Sequence, residues 1–513
     1  MRCLLVLVIC LSLHSAVRAQ HDGARDAVRL IANEKYQQVD STLQKKKPFA
    51  GDAESNFVQM LSQLAQDQPT AAWAKASEAL QQGLPPGRLL AGPRPLLKKL
   101  NTVPGFTTWR DEANLPVLIH GPMVGNVTAQ SASFWIRTSR AANVIAKVEG
   151  GGVSPLQRTS EATDFTAVLT VDNLKPNQSY RYIIEVEEGG STEGVFRTFP
   201  KAGEGGIFSV GFGGGAGFVP EWENMWDTIR SFEPHAFLML GDNVYIDQPE
   251  HLLTQQYCYY RRQSRPEWKR FTSSTAIFSI WDDHDFGTND CVPGPEVDKP
   301  AWKRDVWKTF QQNWVNPAYG MGEQQPGCWY DFRIGDVHFI MLDGRYYRDL
   351  SDGTMLGPIQ KKWLLQTLTN SKATFKIIGS PVPFTAGIKR GSRDPWDGFP
   401  KEREEIFQHI EANQIEGVFL IAADRHRTDL RVTKREQGYD LYEFESSRLT
   451  NHHTHPVVKT DGLIWGYNKT CSFALMTFDT TADDPQVEFR CIGIDGQEME
   501  SYTLKHSLLK FKQ

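Results

Sequence analysis

The sequence predicts an α/β chain in which a layered β-sandwich flanked by helices follows a small all-β domain and a helical N-terminal segment. Three observations carry that reading. Five short, mainly apolar runs (236–240, 276–281, 337–342, 375–378 and 418–423) alternate with helix-period segments, the pattern of strands buried on both faces of a layered sheet. Residues 116–200 carry short β-forming runs separated by turn residues. Residues 20–105 place apolar side chains at helical spacing.

A chain of 513 residues is too long for one ordinary core, so two or three domains are expected. Hydrophobic content of 40% with 23% charged residues describes a soluble globular protein, and a formal charge of −5 argues against a nucleic-acid-binding module. Residues 1–19 combine Arg2, an apolar stretch from Leu4 to Leu13 and the small residues Ala16 and Ala19, the layout of an export signal. That stretch is too short to span a bilayer, and no later segment is long enough for a transmembrane span. Removing it leaves Cys258, Cys291, Cys328, Cys471 and Cys491. An odd count leaves at least one thiol unpaired, while Cys471 and Cys491 could bridge two late strands. The acceptor triplets at Asn126, Asn177 and Asn468 matter only in a host that glycosylates them.

In chain order, the helical region comes first. Phe57, Met60, Leu61 and Leu64 share one helical face, and 71–80 is rich in helix formers before the prolines at 85, 86, 93 and 95 break the pattern. A solvated packing helix is expected there, with a lid or interaction arm as the alternative. Residues 116–200 follow as strands over 132–139, 165–171 and 180–186. The stretch from Leu174 to Tyr180 resembles the corner of fibronectin III-like sandwiches, where a Tyr hydroxyl ties back to the backbone. From 206 to 513 the apolar runs alternate with helices expected at 222–232, 301–314, 359–368 and 402–413.

Chemistry-bearing groups gather where ligands collect in such sheets, just beyond the strand ends. Asp242 ends the first run, with Tyr245 three residues on as a phenolate candidate for a hard cation; taken alone, Gly241-Asp242-Asn243 is also good turn chemistry. Asp282, Asp283 and Asp285 flank His284, and such close carboxylates repel unless a cation or a pKa shift relieves them. Asp424 and His426, two apart at another strand end, face one side of an extended backbone and can chelate an ion. Arg345, beyond the 337–342 run, has the planar fork suited to phosphate, with a surface pair to Asp343 as the plainer alternative. The basic, aromatic stretch 259–265 reads equally as a solvated helix face. His452, His453 and His455 form a cluster read as a rim loop near the site, without assigned ligands.

Together, these four blocks (Gly241 to Tyr245, Trp281 to His284, Leu342 to Arg345 and Asp424 to His426) resemble the PhoD-like alkaline phosphatases, of the calcineurin-like metallophosphoesterase superfamily and similar to the purple acid phosphatases. The resemblance covers residues 116–500. It implies a metallophosphoesterase-type sandwich for 206–513 and metal ligands at Asp242, Tyr245, Asp283, Asp424 and His426. It implies His284 beside the scissile bond and Arg345 as a phosphate contact. Two or more divalent or trivalent cations (Ca, Fe, Mn or Zn) are the expected cofactors.

One departure stands out. The family opens this domain with a strand ending in a metal ligand, often Cys or Asp, whereas here residues 207–211 run into Gly213, Gly214 and Gly215. Either fewer ions bind, or a ligand comes from elsewhere (Asp247, Asp285 or Asn289), or the loop amides hold phosphate directly. The expected function is an exported, metal-dependent phosphoesterase acting on phosphomonoesters or phosphodiesters through metal-activated water. The alternative is a secreted binding protein that keeps the fold without catalysis.

Overall fold

The structure, a computed structural model, describes residues 23–46, 51–187 and 189–512. The expected export signal lies outside these residues. Among the described residues no helix is long and apolar enough to cross a membrane.

All five apolar runs form strands that are buried throughout. Ala236–Leu240 pairs in parallel with Ile207–Gly213 on one side and Ala276–Ile280 on the other. In a second sheet Val337–Met341, Phe375–Gly379, Val418–Ala422 and Leu441–Ser446 are successive parallel neighbours. Continuous apolar runs are required because each parallel strand is covered on both faces. The helices predicted at 301–314, 359–368 and 402–413 appear as Trp302–Gln311, Gly357–Asn370 and Pro400–Ala412. The one at 222–232 shortens to Met225–Ser231 after a turn of 3₁₀-helix.

The two large sheets face each other across an aromatic layer. Phe278 of the first stacks on Phe332 of the second with centroids 3.9 Å apart, and Phe332 stacks on Phe339 at 4.8 Å. At the other end Phe444 stacks on Phe489 at 4.6 Å. Such pairs contribute about 0.5–1.5 kcal/mol each beyond the burial of their area, so the layer fixes how the two rows of strand ends align.

Residues 116–200 are less separate than expected. Leu118–Gly125 pairs antiparallel with Ala132–Thr138 but also in parallel with the 276–280 strand, Gly125 opposite Ile277, so this layer continues the first large sheet. A four-stranded sheet covers it, with Phe134 packed on Tyr182 at 4.4 Å. The tie expected at Tyr180 is present: its hydroxyl accepts from Lys175 N at 2.8 Å.

The N-terminal helices pack through one face. In Gly51–Ala65, Phe57, Met60, Leu61 and Leu64 are fully buried, while residues such as Gly51 and Asp52 stay exposed. Glu54, itself buried, accepts two hydrogen bonds from Arg88 and one from Tyr257 of the helix Leu252–Gln263. That helix holds 259–263 of the basic, aromatic stretch, and Tyr259, Tyr260, Arg261 and Arg262 are buried, not solvated. Arg262 is paired with the buried Glu223, which removes the cost of an isolated charge.

The Cys471–Cys491 bridge is absent, and all five described cysteines are free. The register explains it: Cys491 faces Ala474, while Cys471 precedes its strand.

Candidate metal centre

Asp242, Asp282 to His284, and Asp424 to His426 all lie just past the C-terminal ends of their strands, and a backbone bridge between Gly214 and Ser447 joins the two sheets there. The backbone is bent to aim them. Asp242, Tyr245, Asp247, Asp424 and His426 have φ of 54°, 53°, 52°, 71° and 48°, in the left-handed region where a side chain costs about 1 kcal/mol. Local hydrogen bonds hold this strain. Asp285 accepts from the amides of Asn243 and Val244 at 2.8–3.0 Å, and His284 O accepts from Ile246 N at 2.7 Å and Asp247 N at 3.1 Å. Burial still pushes the Asp285 carboxyl up to about 6.

Asp242, Asp283 and His284 each place a ligand atom within 4.8 Å of the others, all buried. The Tyr245 ring stacks on His284 with centroids 4.7 Å apart, and its hydroxyl meets His426 Nε2 at 2.9 Å. His426 Nε2 is 3.8 Å from Asp242 Oδ2. Five of the expected residues are therefore one contiguous group. Asp424 borders it, its Oδ2 3.6 Å from Arg425 Nη1.

The electrostatics ask for cations. Asp242 Oδ1, Asp282 Oδ2, Asp424 Oδ2 and His426 Nδ1 are buried without a hydrogen-bond partner. Orphaned carboxylate oxygens inside a protein are costly unless an ion compensates them. Burial, reinforced by neighbouring carboxylates, raises the Asp242 and Asp282 carboxyls well above their ordinary range. Burial opposes charge on His284, yet Asp283, Asp242 and Asp247 together hold its imidazole well above its usual value. Oxygen-rich ligands with one or two imidazoles suit hard and borderline cations, so the residues present fit the metal ions that the resemblance implies.

Arg345 is placed differently from the expectation of a phosphate contact. It is fully buried, with Nε on Asp282 Oδ1 at 2.5 Å and Nη1 on Asp394 Oδ1 at 2.6 Å, so it faces carboxylates beneath the centre. Nor does it pair with Asp343, whose Oδ1 instead takes Trp281 Nε1 and the amides of Arg345 and Tyr346. The cation beside Asp290 and Asp394 is Lys389, 2.8 and 3.2 Å away.

The amides of Gly214, Gly215 and Ala216 are engaged within the chain, and the space beside the run is filled. Gly214 N, Gly215 N and Ala216 N donate to Ser446 O, Gly241 O and Asp242 O at 3.1, 3.2 and 2.8 Å. What the glycines permit is close approach of the 448–451 segment. A Cβ on Gly213 would meet Leu449 at 2.8 Å, on Gly215 the Arg448 amide at 2.9 Å, and on Gly217 Asn451 at 3.1 Å. Of the substitutes for the missing ligand, Asp247 is engaged with His284 and Arg25, and Asp285 with backbone amides.

Sequence reasoning missed Arg25, Asp394 and Lys389, whose positions depend on contacts between distant segments and carry no local signal. Asp247 lies in the loop after Asp242 and was readable as a neighbour, though not as the partner of His284. His453 and His455 were read as rim residues; with His426 they bring three ligand nitrogens within 4.8 Å of one another.

The PhoD-like phosphatase family matches residues 210–461, and a domain of unknown function, DUF7800, matches 115–200. Alkaline phosphatase D of Bacillus subtilis (strain 168) is 22% identical over 309 residues, so the match spans half of this chain and 52% of that relative. A solved structure of PhoD superposes with a TM-score of 0.63 at 15% identity, covering 74% of this chain and 92% of that one. The purple acid phosphatase PPD1 from yellow lupin (Lupinus luteus) seeds gives 0.56 at 13% identity, covering 75% and 74%. These superpositions concern the fold alone, and it is the match over 210–461 that carries the family: these residues form a PhoD-like phosphatase domain.

Proposed function

We propose that this protein is a metal-dependent phosphoester hydrolase that acts on phosphomonoesters or phosphodiesters after export. The observation that carries the reading is the convergence of buried carboxylate oxygens without a hydrogen-bond partner (Asp242 Oδ1, Asp282 Oδ2 and Asp424 Oδ2) on one edge of the sandwich. A non-enzymatic binding protein gains nothing from keeping such charges beside one another.

Asp242, Tyr245, Asp283, Asp424 and His426 would hold the ions. Bound cations at this position neutralise the phosphoryl oxygens and lower the pKa of a water for in-line attack. His284 is the group assigned to the leaving oxygen: its neighbours favour the protonated ring, and Asp247 on Nδ1 sets the ring's orientation. Arg345 acts beneath the site, fixing Asp282 opposite Asp394.

The test uses purified protein stripped with a chelator and reloaded with Ca, Mn, Fe or Zn, assayed with p-nitrophenyl phosphate and bis-p-nitrophenyl phosphate. Hydrolysis should depend on metal, and the better ester assigns the class. Asp283→Asn and His426→Ala should each abolish turnover while circular dichroism stays unchanged. Most activity surviving in both metal-loaded variants would sink the proposal. Export is tested separately, by sequencing the N-terminus of protein recovered from the medium of an expressing culture.

A further inference from the structure

We propose that His453 and His455 join His426 in a three-imidazole site for a transition-metal dication such as Zn²⁺, and that this site stands in for the ligand absent from Gly213–Gly215. The inference extends the proposed metal centre by a site of different chemistry.

The geometry is that of a ligand set. His453 Nε2 and His455 Nε2 lie 3.2 Å apart, and one ligand nitrogen from each of the three rings falls within 4.8 Å of the others. Tetrahedral zinc with Zn–N of 2.0–2.1 Å separates its nitrogens by about 3.3 Å, so the pair is at coordination spacing without moving. Ring centroids are 4.4 Å apart for His453 and His455, and 5.2 and 5.6 Å from His426 to each. His426 is 2% exposed, and its Nδ1 is buried with no hydrogen-bond partner. With Nε2 on the Tyr245 hydroxyl, Nδ1 is the nitrogen left for a second ion. Three imidazole nitrogens without thiolates favour Zn, Cu, Ni or Co over Ca or Mg, and His426, bound through both ring nitrogens, would bridge as an imidazolate whose proton is released on binding.

The loop is tied down on both sides. His453 N donates to Asn451 Oδ1 at 2.9 Å, Thr454 Oγ1 to His426 O at 3.1 Å, and Asn468 Nδ2 to His455 O at 2.9 Å. His452 turns away and packs on Trp222 at 4.3 Å, so it is not a ligand. The segment leading into the loop rests on the glycine run: Leu449 N donates to Gly214 O at 3.1 Å, and Thr450 Oγ1 to Gly217 O at 2.6 Å. The glycines that remove a ligand from the strand thus admit the segment that carries two. Arg425, Arg427, Arg448 and Lys389 are the opposing charges near the two rings, and Asp424 lies 3.6 Å from Arg425.

The experiment is cobalt and zinc titration of the chelator-stripped full-length protein, followed by visible absorption and by metal-to-protein ratio after desalting. Wild type should show an intense d–d band and retain one more equivalent than His453→Gln or His455→Gln, both of which should lose the band. Circular dichroism and melting temperature monitor folding, and two separate variants guard against misfolding of either. A band and stoichiometry unchanged in both folded variants would overturn the proposal. A band lost in both variants, in a protein that hydrolyses no ester under any loading, would support this site while failing the phosphoesterase reading alone.

Discussion

Asp247 contacts Nδ1 of His284 through one carboxylate oxygen and receives Arg25 through the other. Arg25 sits on the helix Gly23–Ala32, so a segment far from the catalytic half in sequence reaches the centre, and Arg25 Nη1 also donates to Tyr245 O at 3.2 Å. A carboxylate behind an imidazole fixes its orientation and its protonated nitrogen.

Asp247→Asn keeps the shape of this support and removes its charge. It should lower kcat by about 10–100-fold, the usual cost of losing such a partner. KM and bound metal should stay near wild type, because Asp247 is not expected to touch either substrate or ion. Steady-state kinetics on metal-loaded protein check this. A fall in metal content instead would make Asp247 a ligand.

Arg345→Lys separates a buried structural cation from a phosphate contact. Nε and Nη1 of Arg345 divide two carboxylates between them, and a lysine can satisfy one. The uncompensated buried charge should cost about 3 kcal/mol, read as an earlier denaturation midpoint. A raised KM with unchanged stability would restore the phosphate role.

How far the sequence alone reaches follows from the range of each signal. The strands could be read because apolar continuity is local, and Asp242, Asp283 and His426 because strand-end position is local too. The surroundings of Arg345 were not legible because a guanidinium beside a strand end looks the same whether it faces a phosphate or a buried Asp394, 49 residues away. The continuity of 116–200 with the first large sheet was not legible for a related reason: nothing within that stretch signals that 118–125 pairs with 276–280. The solvated reading of 259–265 went wrong because the carboxylate that neutralises Arg262 is Glu223, on another element.

The Glu54–Arg88 pair predicts an acid-labile attachment of the N-terminal helices. Burial opposes ionisation of Glu54, but the charge and the two bonds of Arg88, with Arg261 and the Tyr257 hydroxyl, outweigh it and hold the carboxyl below its ordinary 4.5. A depressed carboxyl pKa contributes stability that is fully present above the unfolded value. That contribution is lost as the pH falls through the folded value. Limited proteolysis within 51–81 should therefore accelerate on acidification below about 4.5. Glu54→Gln should be cleaved readily at neutral pH and show little further acceleration in acid. Cleavage independent of pH in the native protein would assign the attachment to apolar packing alone.

Gly215→Asp asks whether the family's strand-end ligand can simply be put back. Gly215 has φ of 67°, and a Cβ there would sit 2.9 Å from the Arg448 amide, a backbone atom that cannot swing aside. Strain at that φ costs about 1 kcal/mol before the clash is counted. Relief requires the 448–451 segment to withdraw, which pulls His453 and His455 from His426. The variant should melt earlier than wild type and lose the cobalt band, even though it adds a carboxylate. An unchanged melting temperature with the band intact would show that the glycine run and the histidine loop are not coupled. Strand-end carboxylate and histidine loop are thus alternative ways of filling the same side of the centre, and this backbone has room for one of them.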